Sequence, residues 1–324
     1  MLSHFPLSAS EFDGPVLVTG AGGCIGSWVL ALLTHAGVPV CAFDLKADTR
    51  RPALLMSEAN LKKVHWYEGD IADTAAVKAA VEHSKARAII HLAALQVPFC
   101  RANPVGGALV NVVGTVNVFE AAKEAGIKRL SYASSVAAYG ALENGGAMAT
   151  LYGAYKYCNE QTAKVYSEEN GVHSVGIRPG VVYGVGRDQG MTSKTTVALL
   201  AAAAHQAYDI PFSGHVSWLF AAEAASAFIR SVAKERVGAP VFDLNGVYAS
   251  VEEGMAILKT IAPNAKVGIK GEPLAFPMDK SDEPLKAFIG DYGQMPLAQG
   301  IEATYKAFAQ LLQDKRLSAS AIAQ

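Results

Sequence analysis

Three glycines at the spacing G-x-x-G-x-x-G constrain the fold of this chain most. Gly20, Gly23 and Gly26 follow a short apolar run, Val16–Val18, and a helical pattern of apolar residues then runs from Trp28 to Leu33. This pattern predicts a buried parallel strand that turns sharply into a helix. In such a turn the first glycine permits the tight bend and the second lets the backbone approach a pyrophosphate. The third allows close packing of the helix on the strand.

A carboxylate further along the chain makes this interpretation specific, because glycines alone fit a turn in many α/β proteins. The predicted helix begins with Cys24 and Ile25, whose unpaired N–H groups can bind phosphate. Asp44 ends the next apolar run, Val38–Phe43, at the place where a carboxylate binds both ribose hydroxyls of an adenosine. Its charge would repel a 2′-phosphate and therefore favours NAD over NADP. Three nearby cations leave NADP open: Lys46, Arg50 and Arg51.

Strand and helix patterns alternate after Asp44, which is typical of a parallel sheet covered by helices on both faces. The sequence therefore predicts an α/β fold with a Rossmann-type doubly wound parallel sheet and a smaller C-terminal substrate-binding region. We expect an NAD-binding domain over residues 14–178, completed by parts of 216–250, and a discontinuous substrate-binding region over 179–315. The expected strands cover 64–67, 88–92, 130–133 and 174–177, and the expected helices 74–83, 104–125, 152–170, 223–234, 251–261 and 301–312.

Composition and charge exclude several classes of partner. The chain has 324 residues, a net charge of -1 and 51% hydrophobic residues, which argues against nucleic acid or an acidic membrane as its main partner. The four cysteines show no C-x-x-C pairing, and the histidines show no metal spacing, so no metal site is expected. Residues 1–13 lack the pattern of a secretory signal, and the apolar segment 197–204 is too short to span a bilayer. We expect a cytoplasmic protein with a small-molecule substrate.

A tyrosine and a lysine four residues apart can perform acid–base chemistry. Tyr152 and Lys156 share one face of a predicted helix, and Ser135 approaches the same crevice from a strand end. When hydride leaves a carbinol carbon for nicotinamide, the hydroxyl proton must leave too, and a phenolate can accept it. A phenolate near neutral pH needs about 4 kcal/mol of preferential stabilisation, which a lysine cation and a serine hydroxyl can supply. Tyr155 and Tyr157 lie nearby, but only Tyr152 has the one-turn offset from Lys156.

Taken together, these motifs resemble those of the extended short-chain dehydrogenases/reductases, the group that holds nucleotide-sugar epimerases and dehydratases. The resemblance covers nearly the whole chain. It implies a catalytic triad of Ser135, Tyr152 and Lys156, in which the lysine also binds the nicotinamide ribose. The helices over 104–125 and 152–170 commonly form the four-helix bundle of a dimer in this group, so a homodimer is expected. Further cofactor-binding positions implied by the resemblance are Asp70, Ile71, Ala93, Ala94, Asn111, Pro179 and Val181.

One departure from the group concerns substrate size. In nucleotide-sugar members, the stretch that corresponds to residues 216–223 supplies an arginine to the diphosphate, whereas here that position is Val216. Residues 237–315 contain no arginine either, so a diphosphate would lack charge-assisted partners. Other residues are expected to contact the substrate, and the two cations could hold a substrate carboxylate: Gln96, Ser135, Val136, Arg187 and Lys194.

These patterns predict an NAD-dependent oxidoreductase that acts on a secondary alcohol or ketone of a sugar, sugar acid or polyol-like molecule. The first alternative is a nucleotide-sugar 4-epimerase in which NAD stays bound. A second alternative, an NAD-binding sensor without turnover, has no need of the poised phenol that the triad would provide.

Overall fold

The computed structural model of the protein describes residues 1–142, 149–275 and 280–323. The strands are β1 (Val16–Thr19), β2 (Val40–Asp44), β3 (His65–Glu68), β4 (Ala88–His91), β5 (Leu130–Ala133), β6 (Val175–Pro179), β7 (Val181–Tyr183), β8 (Tyr208–Ile210), β9 (His215–Phe220), β10 (Val241–Leu244), β11 (Val247–Ser250) and β12 (Val267–Ile269). The helices are α1 (Cys24–His35), α2 (Pro52–Leu55), α3 (Glu58–Leu61), α4 (Thr74–Ser84), α5 (Val97–Ala102), α6 (Pro104–Ala108), α7 (Gly114–Glu124), α8 (Leu151–Asn170), α9 (Lys194–Ala203), α10 (Ala221–Val232), α11 (Val251–Ile261), α12 (Glu283–Ile289) and α13 (Leu297–Gln313).

A seven-stranded sheet forms the centre of the molecule, with the strand order β10-β6-β5-β4-β1-β2-β3. All of its neighbouring strands are parallel. The strand order reverses between β1 and β4, and ligands of such sheets bind at the carboxyl ends of the strands beside this reversal. The predicted Rossmann-type doubly wound sheet is therefore confirmed. Its edge strand β10 comes from the range 216–250, which was expected to complete the sheet.

Local sequence explains the ends of the helices that carry the site. Helix α4 begins after Asp73, whose carboxylate caps it by accepting hydrogen bonds from two backbone N–H groups. The side chain of Thr150 caps α8 by accepting from the N–H of Gly153 at 3.0 Å. The same helix ends at Gly171, which adopts the left-handed conformation that glycine tolerates.

The helix expected over 104–125 is not one regular helix. A π-helical turn, Leu109–Val113, separates α6 from α7 and adds an extra residue to the helical path. The whole run Pro104–Glu124 has the length and mean hydropathy, 1.4, of a membrane-crossing helix. Half of its most apolar stretch, however, is buried inside the protein. A core helix has the same character.

The C-terminal part of the chain adds two smaller sheets. One has the order β11-β9-β7 and the other pairs β12 with β8. Helix α10 packs on α1, so a continuous hydrophobic core joins residues from both halves of the chain, for example Trp28 and Phe228. Residues 276–279, within a stretch of this part of the chain that is rich in Pro, Gly and Lys, lie outside the described residues.

Candidate active site

A large cavity lies at the carboxyl ends of the parallel strands. Its volume is about 1440 Å³, and residues that directly follow the strands β1 to β6 line it. Sites for one small molecule have volumes of roughly 300–1,000 Å³. The cavity therefore has room for a dinucleotide and a second, smaller molecule.

The glycine turn leaves the first turn of α1 open to this cavity. Gly20 has a φ of +68°, and a Cβ placed on it would lie 2.6 Å from the backbone N of Ala93, so only glycine fits. Helix α1 has no side-chain cap at Gly23, and the first residues of the helix line the cavity. Its free N–H groups, at Cys24, Ile25 and Gly26, fit the pyrophosphate of NAD.

Asp44 lies at the end of β2, where a cofactor ribose would need it. Its carboxylate accepts hydrogen bonds from the N–H groups of Gly22 at 2.9 Å and Leu45 at 2.8 Å, while burial raises its pKa. Two neighbouring cations already have carboxylate partners, because Arg50 pairs with Asp48 at 2.6 Å and Arg51 with Asp188 at 2.7 Å. These pairings reduce the charge that the two arginines offer to a 2′-phosphate, whereas the Asp44 carboxylate would repel it. The geometry thus favours NAD over NADP.

Most of the other predicted cofactor-binding residues also line the cavity: Asp70, Ile71, Ala93, Ala94, Pro179 and Val181. Asn111 is an exception, since it is fully buried and is not among the described residues that line the cavity. Its side-chain amide donates to the carbonyls of Leu95 at 3.1 Å and Gly107 at 2.9 Å. Asn111 therefore holds the loop after β4 in place from within the π-helical turn.

The expected catalytic residues converge on one wall of the cavity. Ser135 follows β5, and Tyr152 and Lys156 lie one turn apart near the start of α8. Gly153 lets this helix approach the Ser135 turn, because a Cβ there would collide with the carbonyl of Ala137. Tyr155 is turned elsewhere, since its hydroxyl donates to the carbonyl of Pro104 at 2.9 Å.

The electrostatics of Tyr152 differ from the sequence-based expectation. Burial raises the pKa of its phenol above the ordinary value, against the lowering effects of the Ser135 hydrogen bond and the Arg187 charge. The Lys156 ammonium donates to the carbonyl of Ala133 at 2.6 Å and lies 5.6 Å from the centroid of the tyrosine ring. Burial lowers the pKa of Lys156 to about 8. Lys156 is not among the groups that lower the pKa of Tyr152, and burial outweighs the lowering effects of Ser135 and Arg187.

A buried ion pair behind the catalytic wall was not anticipated from the sequence. Glu160 lies one turn after Lys156 and accepts two hydrogen bonds from Arg178, at 2.7 and 2.6 Å. The Ser134 hydroxyl donates to the same carboxylate. These contacts join α8 to β5 and β6. The four-residue offset from Lys156 is the only sequence pattern that could have indicated Glu160.

The predicted substrate residues separate into two groups. Gln96, Val136 and Arg187 line the cavity together with Ser135. Lys194 begins α9 and is not among the described residues of the cavity wall. Val216 is completely buried in β9, so its position offers a ligand neither charge nor access.

Sequence comparison adds the family. The model of the NAD dependent epimerase/dehydratase family matches residues 16–245. The chain belongs to this family. It is 30% identical over 314 residues to a UDP-glucose 4-epimerase of Mycolicibacterium smegmatis, which covers 90% of this chain and 97% of that protein. It is also 33% identical over 182 residues to UDP-glucuronate 4-epimerase 3 of Arabidopsis thaliana, covering 52% of this chain and 42% of that protein. The aligned region thus spans less than half the length of the plant enzyme.

Solved structures share the fold of this family member. The UDP-glucose 4-epimerase of Thermus thermophilus, in complex with NAD, has a TM-score of 0.73 at 22% identity and covers 91% of this chain and 98% of its own. A holo L-threonine dehydrogenase from Cupriavidus necator has a TM-score of 0.75 at 20% identity, with 92% and 99% covered. Epimerases and dehydrogenases alike adopt this fold, so the fold alone does not choose between the two reactions.

Proposed function

We propose that this family member is an NAD-dependent dehydrogenase that acts on a secondary alcohol or ketone of a small, non-nucleotide molecule such as a sugar, sugar acid or polyol. The observation that carries the proposal is the convergence of Ser135, Tyr152 and Lys156 on the cavity that the glycine turn and Asp44 also line. Hydride transfer to or from a carbinol carbon needs an acid–base group beside a dinucleotide site.

Each residue of the proposed triad has a distinct task. When bound, NAD supplies the hydride acceptor or, in reduced form, the donor. Tyr152 donates or accepts the proton of the reacting oxygen, and Ser135 holds that oxygen by a hydrogen bond. Lys156 contributes its positive charge and binds the nicotinamide ribose. Because burial raises the pKa of Tyr152, oxidation, which needs the phenolate, should accelerate as the pH rises.

The lack of arginine at position 216 and over 237–315 supports a small substrate. Val216 is buried in β9 where nucleotide-sugar members are expected to supply arginine, and the sequence from 237 to 315 has no arginine. Without these arginines a buried diphosphate would have fewer charge-assisted partners, and each phosphate oxygen left unpaired costs on the order of 2–7 kcal/mol. A substrate without a diphosphate avoids this cost.

A nucleotide-sugar 4-epimerase is the second candidate, and the names of the two relatives reported above favour it. An epimerase returns the hydride to its substrate and releases no NADH, whereas a dehydrogenase accumulates it. The test is to incubate the protein with NAD and either simple sugars, sugar acids and polyols or UDP-glucose. NADH formation with a non-nucleotide substrate supports the proposal. Conversion of UDP-glucose to UDP-galactose without NADH formation would refute it.

A further inference from the structure

The loop after β7 carries an arginine into the cavity. Gly184 and Gly186 have φ angles of +127° and +88°, which only glycine adopts without strain. Between them and the next helix, the N–H of Arg187 donates to the carbonyl of Gly184 at 3.0 Å. This tight turn fixes the backbone of Arg187, and its side chain lines the cavity.

The guanidinium of Arg187 has no counter-ion in the part of the chain that the structure describes. Within residues 1–142, 149–275 and 280–323 no carboxylate lies within 4.0 Å of it. The neighbouring Asp188 is bound to Arg51. Arg187 donates only one long hydrogen bond, from Nη2 to the Thr192 hydroxyl at 3.3 Å, and its buried Nε has no partner in the described structure. A partly buried cation with a buried, unpaired Nε is costly unless a ligand pairs with it.

Its surroundings place this cation at the reacting end of the cavity. The Arg187 charge lowers the pKa of the Tyr152 phenol, so the two groups lie within electrostatic reach. Gln96 lies beside it as well. Both side chains approach Gly190: a Cβ added to this residue would collide with the Gln96 amide and lie 3.2 Å from Arg187 Nη2. Because residue 190 is a glycine, the amide and the guanidinium can lie side by side.

We propose that Arg187 binds a carboxylate of the substrate, and that the protein therefore acts on hydroxy acids such as sugar acids rather than on neutral sugars. The inference rests on the proposed function, because it assigns the substrate class of that site. A guanidinium presents parallel N–H donors that match a carboxylate in two-point hydrogen bonds. Gln96 and Thr192 provide further polar contacts around the same anion. The cofactor pyrophosphate is the other anion that could reach Arg187, but the open first turn of α1 already fits it.

Matched ligands test the proposal, each pair differing in a carboxylate against a hydroxymethyl group. D-galacturonate is compared with D-galactose, and D-gluconate with D-glucitol, by calorimetric titration of the NAD-loaded protein. We expect at least one acid to bind about 100-fold more tightly than its neutral partner, the range of a charge-assisted hydrogen-bond pair. Arg187→Gln should abolish that preference. Arg187→Lys keeps the charge but not the two parallel N–H donors, so it should still bind the acid about tenfold more tightly than the neutral partner.

Affinity for NAD provides the discriminating control. Both variants should bind NAD within about threefold of the unmodified protein if the guanidinium serves the substrate. A loss of tenfold or more in NAD affinity, with the preference for the acid intact, would show that Arg187 serves the pyrophosphate and overturn the proposal. Equal binding of acids and neutral partners by the unmodified protein would overturn it as well.

The same ligands separate this inference from the proposed function. An acid that binds through Arg187 but yields no NADH would refute the dehydrogenase and leave the carboxylate site standing. Oxidation of neutral sugars with efficiency equal to that of the acids would support the dehydrogenase and refute the carboxylate site. Removing an unpaired buried charge should not unfold the protein, and the thermal melting of Arg187→Gln checks this.

Discussion

A buried glutamate ties the stability of the protein to pH. Glu223 lies in the first turn of α10 with 1% of its surface exposed. One carboxyl oxygen accepts a hydrogen bond from the N–H of Met295 at 3.1 Å, and the other has no partner among the described residues. Burial raises the pKa of Glu223 from 4.5 to about 8, and the neighbouring Asp282 adds to the effect. At neutral pH the folded protein therefore holds this carboxyl in its protonated form.

The expected effect on stability follows from that difference in pKa. Between pH 4.5 and about 8 the folded protein keeps a proton that the unfolded chain has released. The contribution of Glu223 to the free energy of unfolding is therefore fully present below pH 4.5. It decreases by about 1.4 kcal/mol per pH unit as the pH rises towards 8. The loss amounts to about 3 kcal/mol at pH 7 and about 4 kcal/mol at pH 8, where half of the folded protein has also released the proton. Glu223→Gln cannot ionise and has nearly the same shape, so it should avoid the loss.

Urea denaturation at pH 5, 6, 7 and 8 measures this effect. The free energy of unfolding of Glu223→Gln should exceed that of the unmodified protein by an amount that grows with pH and reaches about 3 kcal/mol at pH 7. Asp282 remains in both proteins, so its own titration is largely common to the two curves. The exposed Glu252→Gln on α11 is the matched control, for which no growing difference is expected. A constant difference for Glu223→Gln would refute the reasoning, since Glu223 would then be ionised in the folded protein.

Four further predictions concern the site and the surface. Asp44→Ala should weaken the preference for NAD over NADP without abolishing NAD binding, and tighter binding of NADP by the unmodified protein in a titration would contradict it. Tyr152→Phe should lower turnover about 100-fold or more with little change in NAD affinity; the control Tyr155→Phe should stay active, and the reverse result would disprove the assignment. Uridine diphosphate should show no micromolar binding to the NAD-loaded protein by calorimetry. The exposed apolar side chains of Leu109 and Val113 should lie in a homodimer interface; Leu109→Glu should yield a monomer in light scattering, and an unmodified protein that is already monomeric would rule the interface out.

The cofactor half of the fold could be predicted because its patterns are local. Three predicted boundaries depend on residues adjacent in sequence, and the structure confirms them: the strand before Gly20, the start of the helix expected over 74–83 and the end of the helix expected over 152–170. The strands of the C-terminal half were harder to predict from the sequence. Strand β9 alternates polar and apolar residues only from His215 to Trp218, and all of its residues except His215 are buried, so its periodic pattern is too short to identify it.

Site residues were predictable where chemistry dictates their identity, and less so where packing does. Tyr152 and Lys156 were found from their spacing, but the pKa of the tyrosine depends on burial, which spacing does not show. Asn111 and Lys194 lie away from the described cavity wall because the π-helical turn and the start of α9 direct them elsewhere. Such deviations depend on contacts between distant segments.

The ion pair between Glu160 and Arg178 has a consequence for how the protein fails on heating. Helix α8 carries both Tyr152 and Lys156, and Glu160 in its middle binds residues of β5 and β6. Detaching the helix from the sheet would break three hydrogen bonds to Glu160 at once, two of them between charged groups, together with the packing of the helix. Inactivation and loss of structure should accordingly be a single cooperative event, with no folded but inactive form in which this helix alone has detached.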